Sequence, residues 1–548
     1  MRAFRSAWPA VFLCAAAAAF GQYAREVVVP PGPFHGVHGL AFGSAGELYA
    51  GEILGMTVHR VDILRGSHEP VVGPPLGMAD DVAVAPPGSP FAGTLVWSGV
   101  FTGTLHARAP DGAVRLVAEG WPGVNTVVFS PAGELYATQL GPGGRALWHV
   151  DLSGAGQHRR LLGADGGLNG SVIAADGGLY GPRGDMGAVV RLDLETLRPQ
   201  VIADGFRWPT AVKMDSHGLL YVVDSDAGTV SRLDPASGGK SVVATIEPGI
   251  DNLAIDRRDH LFVSSVVRNG IVEIDAATGK VRDVVRGALT APGGIAVLHG
   301  PKPRVFIADM FTLREVSPVT GEVRNLTLPG KSGPYPTAVT AFEEGGAVRV
   351  LYTSWFTGEL AILDPDSGKV LRDIKGLASP HGAVRLPDGT VIVAETGAGQ
   401  LTAVGAGDTR RVVGPRLESP VGLALAGAAR LLVTDAAAGR LVAVDLDSGR
   451  SVVVADGLGC PEGVAILPDG RIVIADSARH RLVSIDPSTG VQAEITRNVR
   501  FGLVAAGPMP KTGLHNGVAV ADDGSIYLPS DTDAALYRLS PARHAARP

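Results

Sequence analysis

The chain has 548 residues, with 48 basic against 54 acidic side chains and a net charge of −6. That balance leaves no electrostatic footprint for nucleic acid, and 45 % hydrophobic against 19 % charged residues excludes a disordered chain. Glycine (74) and proline (39) are both enriched, which points to a turn-rich globular protein, not a coiled coil or a multi-span membrane protein.

The amino terminus reads as an address. Arg2 and Arg5 precede the apolar run SAWPAVFLCAAAAAF and a small-residue exit, the pattern of a secretory signal peptide over residues 1–21, cut after Gly21. The run is too short for a membrane helix, which needs about 20 apolar residues. Leu13 is too bulky before Cys14 for lipoprotein processing. The leader implies a periplasmic or secreted protein with no membrane span after its removal. The mature chain then keeps only Cys460, so no internal disulfide is expected.

From here the chain repeats one pattern. A short apolar strand, a turn such as PDG, a second strand, a polar corner, a third strand ending near Asp, a turn such as DSG and a fourth strand recur throughout. Clear copies are SPHGAVRLPDGTVIVAETGAGQLTAV, SPVGLALAGAARLLVTDAAAGRLVAVDLDSGRSVVV and CPEGVAILPDGRIVIADSARHRLVSIDPSTGVQAEI. The residue opening each first strand falls at His38, Asp80, Asn125, Asn169, Thr210, Asn252, Gly293, Thr337, His381, Val421, Glu462 and Asn516. These lie 40–45 residues apart, except for a last step of 54 that carries an insertion within Val499–Lys511. Four strands at this spacing define a propeller blade, and about 4–8 blades make one propeller. Twelve repeats therefore predict an all-β protein of two tandem six-bladed β-propellers, over roughly residues 24–290 and 291–548. Arg25–Val29 looks like an orphan fourth strand, which suits the last repeat because that repeat lacks one.

First strands line a propeller's channel, so their opening residues form a rim. In the first six repeats the rim is polar throughout, with Asp251 beside Asn252 and Glu52 ending the first repeat's second strand. Such a ring of oxygens suits a hard cation; the plainer reading is that these residues cap loop-to-strand turns. The paired imidazoles His35 and His38 could relay a proton there. The second rim offers His381, Glu462 and Asn516, with Glu395 fourteen residues after His381 as Glu52 is after His38. That step could pair a histidine with a carboxylate. Asp224, Asp309, Asp435 and Asp476 are expected to bind turn amides. Cys460 has no neighbouring base and reads as a bystander. The stretch Gly141-Pro142-Gly143-Gly144 lacks the lysine of a phosphate loop.

The segment Gly249-Ile250-Asp251-Asn252-Leu253-Ala254-Ile255-Asp256, with His260-Leu261-Phe262-Val263 after it, resembles the blade of paraoxonase-like lactonases that carries an Asp-Asn pair on a central calcium. More broadly the chain resembles the gluconolactonase, senescence marker protein and luciferin-regenerating enzyme superfamily of six-bladed propellers and its strictosidine-synthase-like relatives. The resemblance implies Glu52, Asn125, Asn169, Asp251 and Asn252 as a metal set and places His38 at a channel-mouth histidine, so His38, or His35 beside it, is the expected catalytic base. The cofactor it implies is a divalent metal, calcium first, with magnesium, manganese or zinc open. The family's Glu-Gly-Pro opening is absent, and Thr126 stands where an Asp often follows the first Asn. The second half looks more like NHL repeats, or like the virginiamycin-lyase group with its His and Glu around magnesium.

Three functions follow as expectations. The first is a metal-dependent hydrolase of lactones or related esters, acting on a small-molecule substrate in the first channel. The second is a non-catalytic NHL-type scaffold or binding protein with a protein partner. The third is a lyase using His381, Glu395, Glu462 and Asn516 in the second channel.

Overall fold

The computed structural model describes residues 23–542 apart from 142, 143, 301, 329–334, 506, 508 and 510–514. The expected signal peptide, and part of the insertion expected within Val499–Lys511, lie outside the described residues. Each repeat folds as a four-stranded antiparallel sheet, twelve in all, and the described residues contain short 3-10 turns but no α-helix.

Burial follows position in the blade. The second strand Val391–Glu395 is buried at every residue, because blades on either side cover both its faces. An outer strand such as Ser451–Ala455 exposes its first three residues. The intervening turns are set locally: in Pro387-Asp388-Gly389-Thr390, Gly389 adopts φ +88° while the Asp388 carboxylate accepts the Thr390 N–H at 2.9 Å.

The inner strands of blades 1–6 are Val37–Phe42, Asp81–Val84, Val124–Phe129, Val172–Ile173, Pro209–Met214 and Ile250–Ile255. Neighbouring blades touch, and blade 6 returns to blade 1, which closes a six-bladed ring. Blades 7–12 begin with Pro292–Leu298, Ala338–Glu344, Pro380–Arg385, Pro420–Leu425, Pro461–Ile466 and Ala519–Val520, and blade 12 returns to blade 7. The amino-terminal strand Tyr23–Val29 pairs antiparallel with Ala535–Pro541 as the fourth strand of blade 12. The described residues thus begin with a strand of the second ring, build the whole first ring, and then return to the second. Arg25–Val29 belongs with the second ring, not with the first as the tandem boundary at residue 24 has it.

Candidate functional site

Bulges build the rims. In blade 1, Val37 pairs with Glu52 but Leu40 pairs with Ala50, so His38 and Gly39 together oppose Gly51 alone. A bulge of this kind turns a side chain out of the ladder. The same skip occurs at Val124–Val127, Ile250–Leu253, Pro380–Ala383 and Pro461–Val464. It also corrects the sixth repeat. Ile250 pairs with Ser265 and Leu253 with Val263, so Asp251, and not Asn252, is the counterpart of His38.

The rim of the first ring is largely bonded to itself. The Asn125 amide donates to Asp80, and Asn125 Oδ1 accepts Thr126 Oγ1–H at 3.2 Å. Asn169 Oδ1 accepts the N–H of Gly170 at 2.9 Å, and Thr210 Oγ1 donates to the carbonyl of Asp251 at 2.6 Å. Asn252 reaches past blade 1 to Asp81, donating at 3.0 Å, while its own Oδ1 accepts the Leu253 N–H at 2.8 Å. That bridge passes Gly39, whose added Cβ would lie 2.5 Å from Asp81 Cα, so only glycine fits there.

Three carboxyls share this rim. Burial raises Asp80 well above the usual carboxylate range, with Asp251 and Asp81 adding to the rise. Burial lifts Asp251 as well, partly offset by His38, and pushes Asp81 up to about 6 against the pull of Lys213. Lys213 donates to the Ser171 carbonyl at 2.9 Å, and burial lowers its ammonium. Sequence reading missed Lys213 and passed over Asp80 as a site residue. The available signal was a lone lysine inside the apolar strand Pro209–Met214.

Among the described residues the Glu52 carboxylate meets two imidazoles and bonds none of the rim Asn or Asp side chains. It sits 2.8 Å from His59 Nε2 and 3.6 Å from His35 Nδ1. Burial would raise its carboxyl, but the two imidazoles outweigh that and hold it down to about 2. His35 Nε2 contacts the Thr532 carbonyl at 3.1 Å, and His38 Nδ1 donates to the Gly36 carbonyl at 2.9 Å. The fourteen-residue step therefore joins no His38–Glu52 pair. The donor set drawn from the resemblance does not fit a calcium ion as a group: Glu52 is held by histidines, and the Asn169 and Asn252 oxygens accept backbone N–H groups. Among the described residues no three His, Cys, Asp or Glu side chains converge as a metal site.

In the second ring the same step also fails to pair. Glu395 accepts the Ala378 N–H at 2.7 Å and binds Gln400 and Thr402. His381 Nδ1 lies 3.1 Å from the Ser379 carbonyl and 3.0 Å from Thr396 Oγ1. Glu395 thus does what Asp224, Asp309, Asp435 and Asp476 do in their blades, where each carboxylate accepts N–H groups of the loop entering its own blade. His381 is fully buried beside His515, a residue that sequence reading overlooked, with ring centroids 6.3 Å apart. Burial drops the two imidazoles to about 4 and about 3, so both are neutral at pH 7. Cys460 Sγ lies 3.8 Å from Glu462 Oε1, and burial pushes the thiol up to about 11.

Glu462 accepts Ser477 Oγ–H at 2.5 Å, and the Asn516 N–H and Nδ2–H at 2.6 and 3.0 Å. Burial still pushes it up to about 7 from its ordinary 4.5. Between those values the folded protein keeps a proton that the unfolded chain has released. Stability therefore falls as pH rises through that window. Glu462→Gln is expected to flatten the slope and to recover about 3 kcal/mol at pH 8 relative to pH 4. Urea midpoints of both proteins at the two pH values check this, and parallel pH dependence would contradict it.

The two rings meet through the faces that carry their rims. Val100, Phe101, Ile53, Leu54, Val266 and Val267 of the first ring pack with Met310, Phe311, Tyr335, Trp355, Leu503 and Met509 of the second. His38 lies against Phe311 with ring centroids 5.4 Å apart, and a Cβ on Gly36 would come within 2.9 Å of the Phe311 ring. Arg314 anchors the seam. It pairs with Asp309 at 2.7 Å and donates to the Val267 carbonyl at 3.0 Å, with both side chains at most 2 % exposed. These contacts come from blades 1, 2 and 6 of the first ring and blades 7, 8 and 12 of the second.

The molecule is therefore a β-propeller protein of two face-to-face rings. The NHL repeat family model matches residues 458–483, and the model described as outer membrane protein assembly factor BamB matches residues 226–455. The second match runs from blade 5 across the ring boundary into blade 10, so it reads the blade repeat and not the ring. No curated protein matches the chain. Among solved structures, the chain is similar to the extracellular domain of the proposed one-component system BT4673 from B. thetaiotaomicron. That likeness has 10 % identity, covers 93 % of this chain and 71 % of that one, and has a TM-score of 0.35. The tricorn protease is similar at 13 % identity, over 91 % of this chain and 55 % of its own, with a TM-score of 0.38. Superpositions this loose carry no argument about activity or partners. No helix among the described residues is long and apolar enough to cross a membrane.

Proposed function

We propose that this chain is a non-catalytic NHL-type propeller binding protein, exported by its amino-terminal leader, which holds a ligand between its two rings. The observation that supports this is the cover on the first rim: His38 is packed under Phe311, and His35 is bonded to Thr532 of the second ring. A binding protein can use the second ring as the other half of its site. One observation favours the metal-dependent lactone or ester hydrolase as a second reading. Burial and the like charges of Asp251 and Asp81 raise Asp80 on one rim, a repulsion that a divalent cation would relieve although the three do not converge as a metal site. Turnover of γ-lactones and phenyl acetate with calcium, magnesium, manganese or zinc separates the two. The binding reading expects no metal-dependent turnover. Turnover that is lost in Asp251→Asn would overturn it in favour of the hydrolase.

A further inference from the structure

The first ring's channel has a second mouth. The rim residues open the inner strands, and the residues that end those strands surround a cavity of about 360 Å³ at the other end of the channel. Every blade of the ring contributes to its wall: Phe42, Val84, Phe129, Ile173, Met214 and Ile255 come one from each of blades 1–6. All but Ile173 are half-buried, so these apolar side chains border an open mouth and not a packed core.

One charge stands in this wall. Lys213 precedes Met214 in the inner strand of blade 5 and is itself half-buried. Its ammonium donates to the Ser171 carbonyl of blade 4 at 2.9 Å, and Ser171 lines the same cavity. No carboxylate lies within 4.0 Å of that nitrogen among the described residues, and the rest of the chain contains no Asp or Glu. Asp81 is the acid that bears on Lys213, but it opens its own inner strand and does not line the cavity. Its carboxylate accepts the Val82 and Val127 N–H groups at 3.0 and 3.2 Å and the Asn252 amide at 3.0 Å.

An ammonium half-withdrawn from water without a contacting anion is costly, and an apolar surround strengthens its pull on an anion that enters. Apolar walls favour a ligand with a hydrocarbon part. A dianion such as phosphate would leave its second charge against hydrocarbon. We propose that this mouth binds a small monocarboxylate with an apolar tail, its carboxylate on Lys213 and its tail along Phe42, Phe129, Met214 and Ile255. The site goes beyond the one between the rings and lies at the opposite end of the channel from it.

Calorimetric titration of the full chain with hexanoate, acetate, 1-hexanol and hexylammonium tests the proposal. Hexanoate should bind saturably at one site, with acetate, the alcohol and the cation each weaker by about tenfold or more. Lys213→Met keeps most of the apolar stem and removes the charge, so hexanoate should weaken about tenfold or more, to the level of the alcohol. An unchanged thermal midpoint without ligand shows that the variant folds, and the comparison of the four ligands on the wild type stands whether it does or not. No saturable binding of hexanoate, equal binding of hexanoate and 1-hexanol, equal binding of acetate and hexanoate, or unchanged affinity in folded Lys213→Met would each overturn the proposal. None of these results bears on the space between the rings, which the turnover assay addresses separately.

Discussion

Arg314→Ala is expected to destabilise the protein by about 3–5 kcal/mol and to loosen one ring from the other. The guanidinium is buried between Asp309 at 2.7 Å and the Val267 carbonyl of the other ring at 3.0 Å, with Asn325 as a third partner. Removing it leaves Asp309, which is 0 % exposed, as an uncompensated charge held, among the described residues, by the Thr290 and Ala291 N–H groups. Truncation therefore costs far more than the net value of the pair, since the remaining carboxylate cannot regain water. It also removes a bond that crosses the seam. Chemical denaturation reads the first effect. The second should appear as lower protection of the Val266–Val267 turn in hydrogen exchange. A change within about 0.5 kcal/mol, the level of an ordinary surface substitution, would contradict the buried placement.

Val29→Asp should cost a similar amount, about 3–5 kcal/mol, while Val27→Asp two positions earlier should change little. Both lie on the strand Tyr23–Val29, and a bulge between them shifts the register. Val27 is 57 % exposed on the outer edge of blade 12. Val29 is fully buried with Leu289, Ile307, Tyr527 and Leu536, where blade 12 meets blade 7. A charge at residue 29 strikes the closure of the second ring from the far end of the sequence. If the amino-terminal strand were a free tail, the two variants would behave alike. Thermal midpoints of the two proteins settle this.

The twelve-blade plan was legible because its signals are local. Pro-Asp-Gly and Asp-Ser-Gly turns, strand alternation and a 40–45 residue period all lie within single repeats. The rim was only partly legible. Its one-residue slip at Asp251 and Asn252 arises from a bulge, which depends on pairing with Ser265 and Val263 and leaves no mark in composition. Glu52 and Glu395 looked like site carboxylates, but the end of a second strand is where blade after blade uses an acid to hold its entry loop. In blade 1 His35 and His59 take the place of loop amides, and that exchange requires His59 from the next strand. The apposition of the rings was not legible at all. His38 meets Phe311, and His35 meets Thr532, across hundreds of residues and without any repeated pattern.

That apposition carries the functional account, and hydrogen–deuterium exchange on the full chain tests it most directly. Peptides spanning residues 35–38 and 310–314 should both exchange slowly in the wild type. In Arg314→Ala both should lose protection together, while the outer strands of blades 3 and 9 stay unchanged. Fast exchange of both segments in the wild type, at the rate of exposed turns, would mean that the rims do not face each other and would remove the site between them.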